Sequence, residues 1–396
     1  MKNQTLNIGL FGFGTVGKGL HDVLSRVPNE QVNIKIVCVK HLDKHPETNI
    51  HFTDNAADVF NHPDVNCIVE LIDNGEESYE IVKRALQNGL SVVSGNKKML
   101  AHHLPELIEL QEKHRAAMLY DASACGSIPV IRNLEEYYDN DLLISVKGIL
   151  NGSSNFILSK IFNEGMNYPD ALRLAQQLGF AESDPTLDIG GWDSLYKLVI
   201  ITIHAFGVYV RPQEVFTFGI DKMSEDDIRF ANEKRRRIKL VGTTTKIGEN
   251  GLSLSVMPHL ISRQKYIYSV EDEFNGVVIK GLFYYKQFMF GQGAGGHPTG
   301  SAVLSDITAR LYDYKYEYKK LHRERHPVYT TDFSLRIYYR YAHEEDLQIL
   351  RFENVEESYT SKTHRYVVGH VRMAELVAKN EQLRNADVFM ASFPED

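Results

Sequence analysis

Over the first third of the chain, short apolar runs alternate with stretches whose apolar positions recur every three or four residues. Leu6–Phe11, Ile34–Val39, Cys67–Ile72 and Ser91–Val93 read as strands, and Val16–Leu24, Ala56–Val59 and Glu80–Asn88 as helices. Strands separated by helices imply parallel pairing through right-handed crossovers, hence a doubly wound α/β sheet. From about residue 133 to 290 the texture changes to longer helices followed by β-branched and aromatic strands such as Ser253–Met257 and Gly276–Phe283, which predicts a second, α+β domain. The Gly-rich "FGQGAGGHPTG" at 290–300 is expected to return the chain to the first domain. The tail reads as strands at Phe333–Tyr341 and Arg365–His370 and a short helix near Met373–Lys379, a small third module. The expected domains are therefore 1–132, completed by about 291–322; 133–290; and 323–396.

Composition narrows the class. A chain of 396 residues, 43% hydrophobic and 24% charged, can bury at least two cores. The formal net charge of −8 offers no basic field for a nucleic acid. The one basic run, Lys234 to Lys239, reads as the solvated face of a helix-like segment. Three cysteines, Cys38, Cys67 and Cys125, argue against a disulfide framework and fit a reducing compartment. The first strand starts within a few residues of Met1 and the most apolar stretch, Leu198–Phe206, is far short of the roughly 20 residues of a membrane span. A cytoplasmic protein with neither a nucleic-acid nor a membrane partner is expected.

Candidate chemistry begins at "NIGLFGFGTVGKGL", residues 7–20. Gly12, Gly14 and Gly17 lie where the first strand gives way to the first helix, where bare backbone lets N–H groups approach a pyrophosphate at the positive helix end. This predicts a Rossmann-type dinucleotide-binding fold for the first domain, the alternative being a purely structural turn. The second strand ends in "VCVKHLDKHP", and Lys40 with Lys44 behind it leans toward the 2′-phosphate of NADP, while Asp43 keeps NAD open. In "VVSGNKKMLA", Asn96 and Lys97 follow a strand of the same sheet, where ligands of open α/β sheets bind, whereas Lys98 is expected to face solvent. The stretch "GFAESDPTLDIGGWDSLYKLVIITIHAFG", 179–207, predicts a buried helix with Asp193 and Lys197 four apart at its mouth. With Glu182, Asp184 and Asp188 upstream, four carboxylates surround one lysine; the alternative is an N-terminal capping cluster. In "KGILNGSSNFILSKI", Asn151, Ser153, Ser154 and Asn155 offer groups suited to capping a helix or to holding a small polar ligand.

Taken in order, GFGTVG, SGNKK, DASACGSIPVI, KGILNGSSNFIL, GFAESDPTLDIGGWDSLYKL and GQGAGGHPTGSAVLSDI closely resemble homoserine dehydrogenase over about residues 5–310. The resemblance implies NAD(P)-dependent interconversion of L-homoserine and L-aspartate 4-semialdehyde, on the route from aspartate to threonine, methionine and isoleucine. It implies that Lys197 donates the proton to the aldehyde oxygen, that Lys97 sits near the reacting hydroxyl, and that Glu182 and Asp193 hold the substrate amino group, with Asn151 and Ser153 as further substrate contacts. Cofactor contacts are expected at Gly12, Gly14, Thr15, Val16, Gly17, Lys40, Asn96, Lys97, Gly293 and Gly295. A monovalent-cation site, usually sodium in this family, maps to Asp121 with backbone oxygens of Ala124, Gly126 and Ile128. Here the chain departs from the family: Asp121 replaces a usual Glu, Ser127 a glycine, and "IDN" at 72–74 a more Gly-rich turn. The shorter acid can weaken the ion site. Cys125, in the same loop, reads as a small filler rather than a reactive thiol. The second domain would also serve dimerisation, giving a homodimer or higher homo-oligomer. The tail falls where some members carry a regulatory ACT domain, of ferredoxin-like fold; without a matching effector turn, a degenerate or purely dimerising module is expected first, with feedback binding second. Competing readings are a related oxidoreductase acting on another small amino acid and a non-catalytic NADP sensor.

Overall fold

The computed structural model describes residues 5–27, 31–44, 50–140 and 142–394. Its contacts divide the chain into two units: 1–139 with 292–322, and 140–291 with 323–396.

Unit 1 runs β1 (Leu6–Phe11), α1 (Thr15–Arg26), β2 (Val32–Cys38), β3 (Phe52–Thr53), α2 (Ala56–Phe60), β4 (Cys67–Glu70), α3 (Gly75–Gln87), β5 (Ser91–Ser94), α4 (Lys97–Lys113), β6 (Met118–Leu119), α5 (Ala122–Cys125) and α6 (Val130–Glu136). The chain later returns to this unit as α12 (Gly296–Arg310). All six strands are parallel, in the order β3-β2-β1-β4-β5-β6. This is the doubly wound order whose switch point, between β1 and β4, opens a crevice beyond the strand C-termini. α3 starts five residues before the expected Glu80, because Asn74 caps it by accepting the Glu77 N–H at 3.0 Å and Glu76 and Glu77 complement its positive end.

α1 and α12 meet through glycine. A Cβ on Gly19 would stand 2.0 Å from the Gly296 carbonyl oxygen, and one on Gly300 2.6 Å from the Leu20 nitrogen. The two backbones therefore touch directly. Gly19→Ala must force them apart, and because overpacking of this kind costs 1–3 kcal/mol or more, the variant should lose about 3 kcal/mol. The denaturant midpoint measures this, and an unchanged midpoint would mean that the helices do not pack as described.

Unit 2 contains β7 (Leu143–Ile149), α7 (Gly152–Glu164), α8 (Tyr168–Gln177), α9 (Thr186–Ile189), α10 (Trp192–Phe206), β8 (Phe216–Thr217), α11 (Glu225–Glu233), β9 (Arg236–Ile247), β10 (Gly251–Ser262), β11 (Phe274–Gly281), β12 (Lys286–Gln292) and β13 (Val328–Tyr329). Its tail adds β14 (Ser334–Tyr341), α13 (Glu344–Leu347), β15 (Phe352–Thr360), β16 (Arg365–Arg372), α14 (Met373–Ala378), α15 (Asn380–Asn385) and β17 (Val388–Ser392). The sheet runs β12-β11-β7-β9-β10-β17-β14-β16-β15, and β10 also pairs with β8 and β13. The tail has strand–helix–strand–strand–helix–helix–strand order with β17-β14-β16-β15 across it. It does not stand alone: β17 pairs with β10 at Ser392 and His259, which continues the tail onto the larger sheet.

α10 is the buried helix of this unit, with every residue from Asp193 to Phe206 buried. Its run Val199–Ile203 is β-branched throughout and poor in intrinsic helix propensity, so tertiary burial holds it. Gly191 (φ +86°) and Gly207 (φ +70°) bound it, and Gly207 closes the last turn with an N–H bond to Ile203 O at 2.8 Å. One expectation is corrected here. The basic run 234–239 is not a solvated helix face, because the chain leaves α11 through Arg235 at φ +54° and enters β9, which pairs with β10 along its whole length. Lys239 is thereby fully buried, donating to Asn155 Oδ1 (2.9 Å) and Val270 O (2.6 Å).

Candidate active site

The glycine turn after β1 divides into positions the protein itself demands and one it does not. Gly12 has φ +90°, and a Cβ there would lie 2.6 Å from Leu71 O; a Cβ on Gly17 would lie 2.5 Å from Gly12 O. At Gly14 a Cβ would meet no heavy atom within 4 Å. Gly14 and Thr15 are exposed, Val16 is half-buried, and the first turn of α1 has neither a side-chain cap nor an acid. The first turn of α12, which follows Gly295 (φ +117°), likewise lacks both, and Gly296 packs on the Thr15 carbonyl. Two uncapped positive helix ends thus meet at an open glycine, which fits a pyrophosphate. Gly293 packs on the next loop instead: a Cβ on Gly126 would stand 2.6 Å from its carbonyl. Lys40 follows β2, exposed, with its ammonium 2.7 Å from Glu77. Exposed pairs of this kind contribute about 0–1 kcal/mol, so a phosphate can exchange with Glu77. The end of the "VCVKHLDKHP" segment, residues 45 and 46, lies outside the described residues.

Beyond the C-termini of β4 and β5 lies a network that sequence reasoning missed. Glu70 is fully buried; its carboxylate accepts from Ser94 Oγ (2.6 Å) and the Ile72 N–H (2.8 Å). Asn96 donates through its backbone N–H to Ser94 Oγ (3.1 Å) and through its amide to Ile72 O (3.0 Å), while its Oδ1 caps α4 at the Met99 N–H (2.9 Å). Asn96 is therefore spent on structure, and it fixes the helix start at half-buried Lys97; Lys98 is exposed. The same bonds define the "IDN" turn.

Burial pushes the Glu70 pKa up to about 7, against the opposing hydrogen bonds of Ser94 and Ile72. Since the folded state holds this proton at pH values where the unfolded chain has released it, Glu70 stabilises least when ionised. Its contribution is complete below the ordinary carboxylate pKa and is lost as pH rises through about 7. Glu70→Gln, which mimics the protonated form, should remove a decline on the order of 3 kcal/mol between pH 4.5 and 8. Denaturant melts of both proteins across that range test this, and parallel curves would contradict it.

Asp121 is buried, but its Oδ1 accepts the N–H groups of Ile131 (2.8 Å) and Arg132 (3.2 Å) at the start of α6. Its own N–H donates to Asp306, which pairs with Arg132 at 2.6 Å. Ile128 O already accepts the Val130 N–H at 2.8 Å. What remains common to the expected ligands is a buried, oxygen-only donor set at a turn through Gly126 (φ +55°), suited in kind to a hard monovalent ion. Among the described residues no group of three or more His, Cys, Asp or Glu could hold a metal. Cys125 is fully buried, as a filler residue would be.

In unit 2 the residues at the mouth of α10 form one cluster. Lys197 Nζ lies 2.8 Å from Asp193 and donates to Leu150 O at 2.7 Å, and the side chains of the pair are 8% and 6% exposed. Asn151 caps α7 through its Oδ1, which accepts the Ser154 N–H (2.8 Å). Its amide donates to both Asp188 (2.7 Å) and Asp193 (3.0 Å). One side chain therefore does the capping and clamps two carboxylates. Burial and the neighbouring Asp193 charge raise the Asp188 pKa, partly offset by Asn151 and Ser153. Leu150 O also accepts from Asn275, a fully buried residue that the sequence did not single out.

The expected ring of four carboxylates is corrected to two. Asp184 turns back to accept the Thr186 N–H (3.1 Å) and hydroxyl (2.5 Å), and Glu182 is exposed on the preceding loop. Ser153 donates its hydroxyl to the Phe180 carbonyl. Asn155 is spent on the carbonyls of Val270, Asp272 and Phe274.

Two family models match this chain, one described as homoserine dehydrogenase over residues 129–308 and one as homoserine dehydrogenase, NAD binding domain, over 12–121. The homoserine dehydrogenase of Neisseria gonorrhoeae is 36% identical over 321 residues, covering 78% of this chain and 74% of its own. That of Bacillus subtilis is 30% identical over 411 residues, covering 97% and 93%. Among solved structures, a homoserine dehydrogenase from Thiobacillus denitrificans superposes with a TM-score of 0.85 at 29% identity, covering 99% of both chains. A hyperthermophilic archaeal homoserine dehydrogenase in complex with NADPH gives 0.69 at 25% identity, covering 79% of this chain and 99% of that one.

Proposed function

The chain belongs to the homoserine dehydrogenase family, and we propose that it interconverts L-homoserine and L-aspartate 4-semialdehyde, with NADP preferred over NAD. The observation that carries this reading is the buried Asp193–Lys197 pair, clamped to Asp188 by Asn151. Reducing an aldehyde builds negative charge on its oxygen, and the substrate also carries an ammonium, so the protein must offer a cation and anions together.

In this reading Lys197 is the proton donor. Two of its three N–H bonds go to Asp193 and Leu150 O, leaving the third for the substrate oxygen. Asp193 and Asp188 receive the substrate ammonium, with Glu182 as a further anion on the adjoining loop. Asn151 holds both acids in place and Ser153 braces the loop at Phe180. Lys97, at the start of α4, is assigned to the reacting hydroxyl.

The turn Gly12, Gly14, Thr15, Val16 and Gly17 and the α12 start after Gly293 and Gly295 would hold the pyrophosphate, and Lys40 the 2′-phosphate, with Asn96 framing the nicotinamide end. The bound dinucleotide supplies the hydride. A sodium ion at the main-chain oxygens of Ala124, Gly126 and Ile128, beside Asp121, belongs to the same reading. So do a homodimer or higher homo-oligomer, a degenerate ACT-like role for the tail, and a cytoplasmic location. The last is supported by three free cysteines and, among the described residues, no helix long and apolar enough to cross a membrane.

A substrate panel tests the proposal. L-Aspartate 4-semialdehyde should be reduced with NADPH at least about tenfold faster than the same four-carbon aldehyde lacking the amino group, the expected loss when buried acids are left unpaired. Equal rates would mean that the acids do not read the ammonium.

A further inference from the structure

Only Ile189, Gly190, Gly191 and Trp192 separate the two acids that Asn151 clamps, Asp188 on α9 and Asp193 at the start of α10. Two consecutive glycines make a joint with wide backbone freedom. The spacing and aim of the two carboxylates therefore depend on what packs against that joint.

On the side of the acids the contact is the Asn151 amide. Behind the joint runs the segment 217–220. The Ile220 N–H donates to Ile189 O at 2.7 Å, and the segment is itself anchored to β10 by the Phe218 N–H on Val256 O at 2.8 Å. A Cβ on Gly219 would stand 2.6 Å from the Gly190 Cα, and one on Gly191 3.2 Å from the Thr217 Cγ2. The two stretches of chain thus touch backbone to backbone.

One side chain of the tail reaches both. Arg384, on α15, donates through Nε (3.0 Å) and Nη2 (2.7 Å) to Thr217 O, and its guanidinium carbon lies 4.1 Å from the centre of the Trp192 ring. Trp192 is the first residue of α10 and the only tryptophan in the chain. Both side chains are half-buried, which strengthens a cation–π contact relative to an open surface. A planar fork that gives two donors to one carbonyl while its face covers an indole is not a task lysine can take over. Two further bonds hold the following residues to the tail: Lys222 Nζ donates to Ala386 O, and Arg340 Nη2 to Lys222 O at 2.8 Å.

We propose that Arg384 is a positioning residue for the reaction: by tying Thr217 to Trp192 it fixes the joint between α9 and α10, and with it the aim of Asp188 and Asp193 at the substrate ammonium. The tail completes the substrate site from behind without touching the substrate. This rests on the assignment of the two acids to the ammonium.

Two aldehydes and one fluorophore test it on the full chain with NADPH. Arg384→Met removes the fork and the charge but keeps a long side chain. It should raise KM for L-aspartate 4-semialdehyde about tenfold, within the range that a misplaced positioning group costs. The rate with the same aldehyde lacking its amino group, which engages neither acid, should stay at the wild-type value, and that rate is the control for folding. Arg384→Lys, which keeps the charge without the fork, should lose discrimination as Arg384→Met does. Emission from Trp192 should shift in both variants, while NADPH affinity does not change. Equal rates of the two aldehydes in the wild-type chain would overturn the assignment of the acids themselves. Wild-type discrimination kept in either variant, a parallel loss on both aldehydes, or an unshifted Trp192 emission would leave that assignment standing and overturn the role of Arg384.

Discussion

Lys197→Ala should lose turnover by a factor of about 10² to 10⁴, the range for removing a positioned proton donor, while NADPH binds within about twofold of wild type. The size follows from the position of the group. In the proposed reading Lys197 would meet substrate from a buried position, its side chain 8% exposed, where charge is little screened and a water molecule is a poor substitute. The cofactor contacts assigned above all lie in unit 1, so NADPH fluorescence should titrate normally. A variant that loses NADPH binding along with turnover would assign Lys197 to the cofactor. A variant within tenfold of wild type would remove it from the chemistry. Since the alanine leaves Asp193 buried without its cation, thermal melts must accompany the kinetics.

The second large effect lies in that pair. Breaking a buried ion pair by removing one partner typically costs about 3–5 kcal/mol, because the charge left behind has lost both water and its counter-ion. Asp193→Asn and Lys197→Met should each fall in this range. The double variant buries no orphan charge, and Asn151 and Leu150 O can still be satisfied by the asparagine and by water. Its loss should therefore be smaller than the sum of the singles, with a coupling of about 1–3 kcal/mol. Turnover should not follow stability: the double variant stays as inactive as Lys197→Met. Strict additivity in stability would show that the two groups are not in contact, and recovery of turnover with stability would make the pair structural only.

The periodic parts of the fold were legible in the sequence because local pattern and tertiary outcome agree. In unit 1, β1, α1, β2, α2 and β4 follow apolar runs and glycine punctuation, and α10 follows a run apolar all round. β3 and β6, two residues each, carry no period to read. The 290–300 glycines marked the return to the first domain, but the packing of Gly296 and Gly300 on α1 at Gly19 and Leu20 was not legible, because the partners lie far along the chain and a glycine in a helix gives no local sign of what presses on it.

In the candidate site, the i, i+4 spacing of Asp193 and Lys197 identified the pair. Proximity in sequence could not say which upstream acid joins it. That is decided by the tight turn at Pro185, where Thr186 captures Asp184 and α9 carries Asp188 toward Asn151. Glu70 reads only as the end of an apolar strand; its meaning depends on Ser94, one strand over. The basic run at 234–239 misled because charge suggests solvent, whereas pairing with β10 took Lys239 inside.

Nicotinamide absorbance during mixing of the purified chain with L-aspartate 4-semialdehyde and NADPH addresses the central claim most directly. Steady oxidation by the wild-type protein, reduced to near background in Lys197→Ala at unchanged NADPH affinity, is the predicted result. No oxidation by the wild-type protein, or oxidation that persists without the lysine, would contradict it.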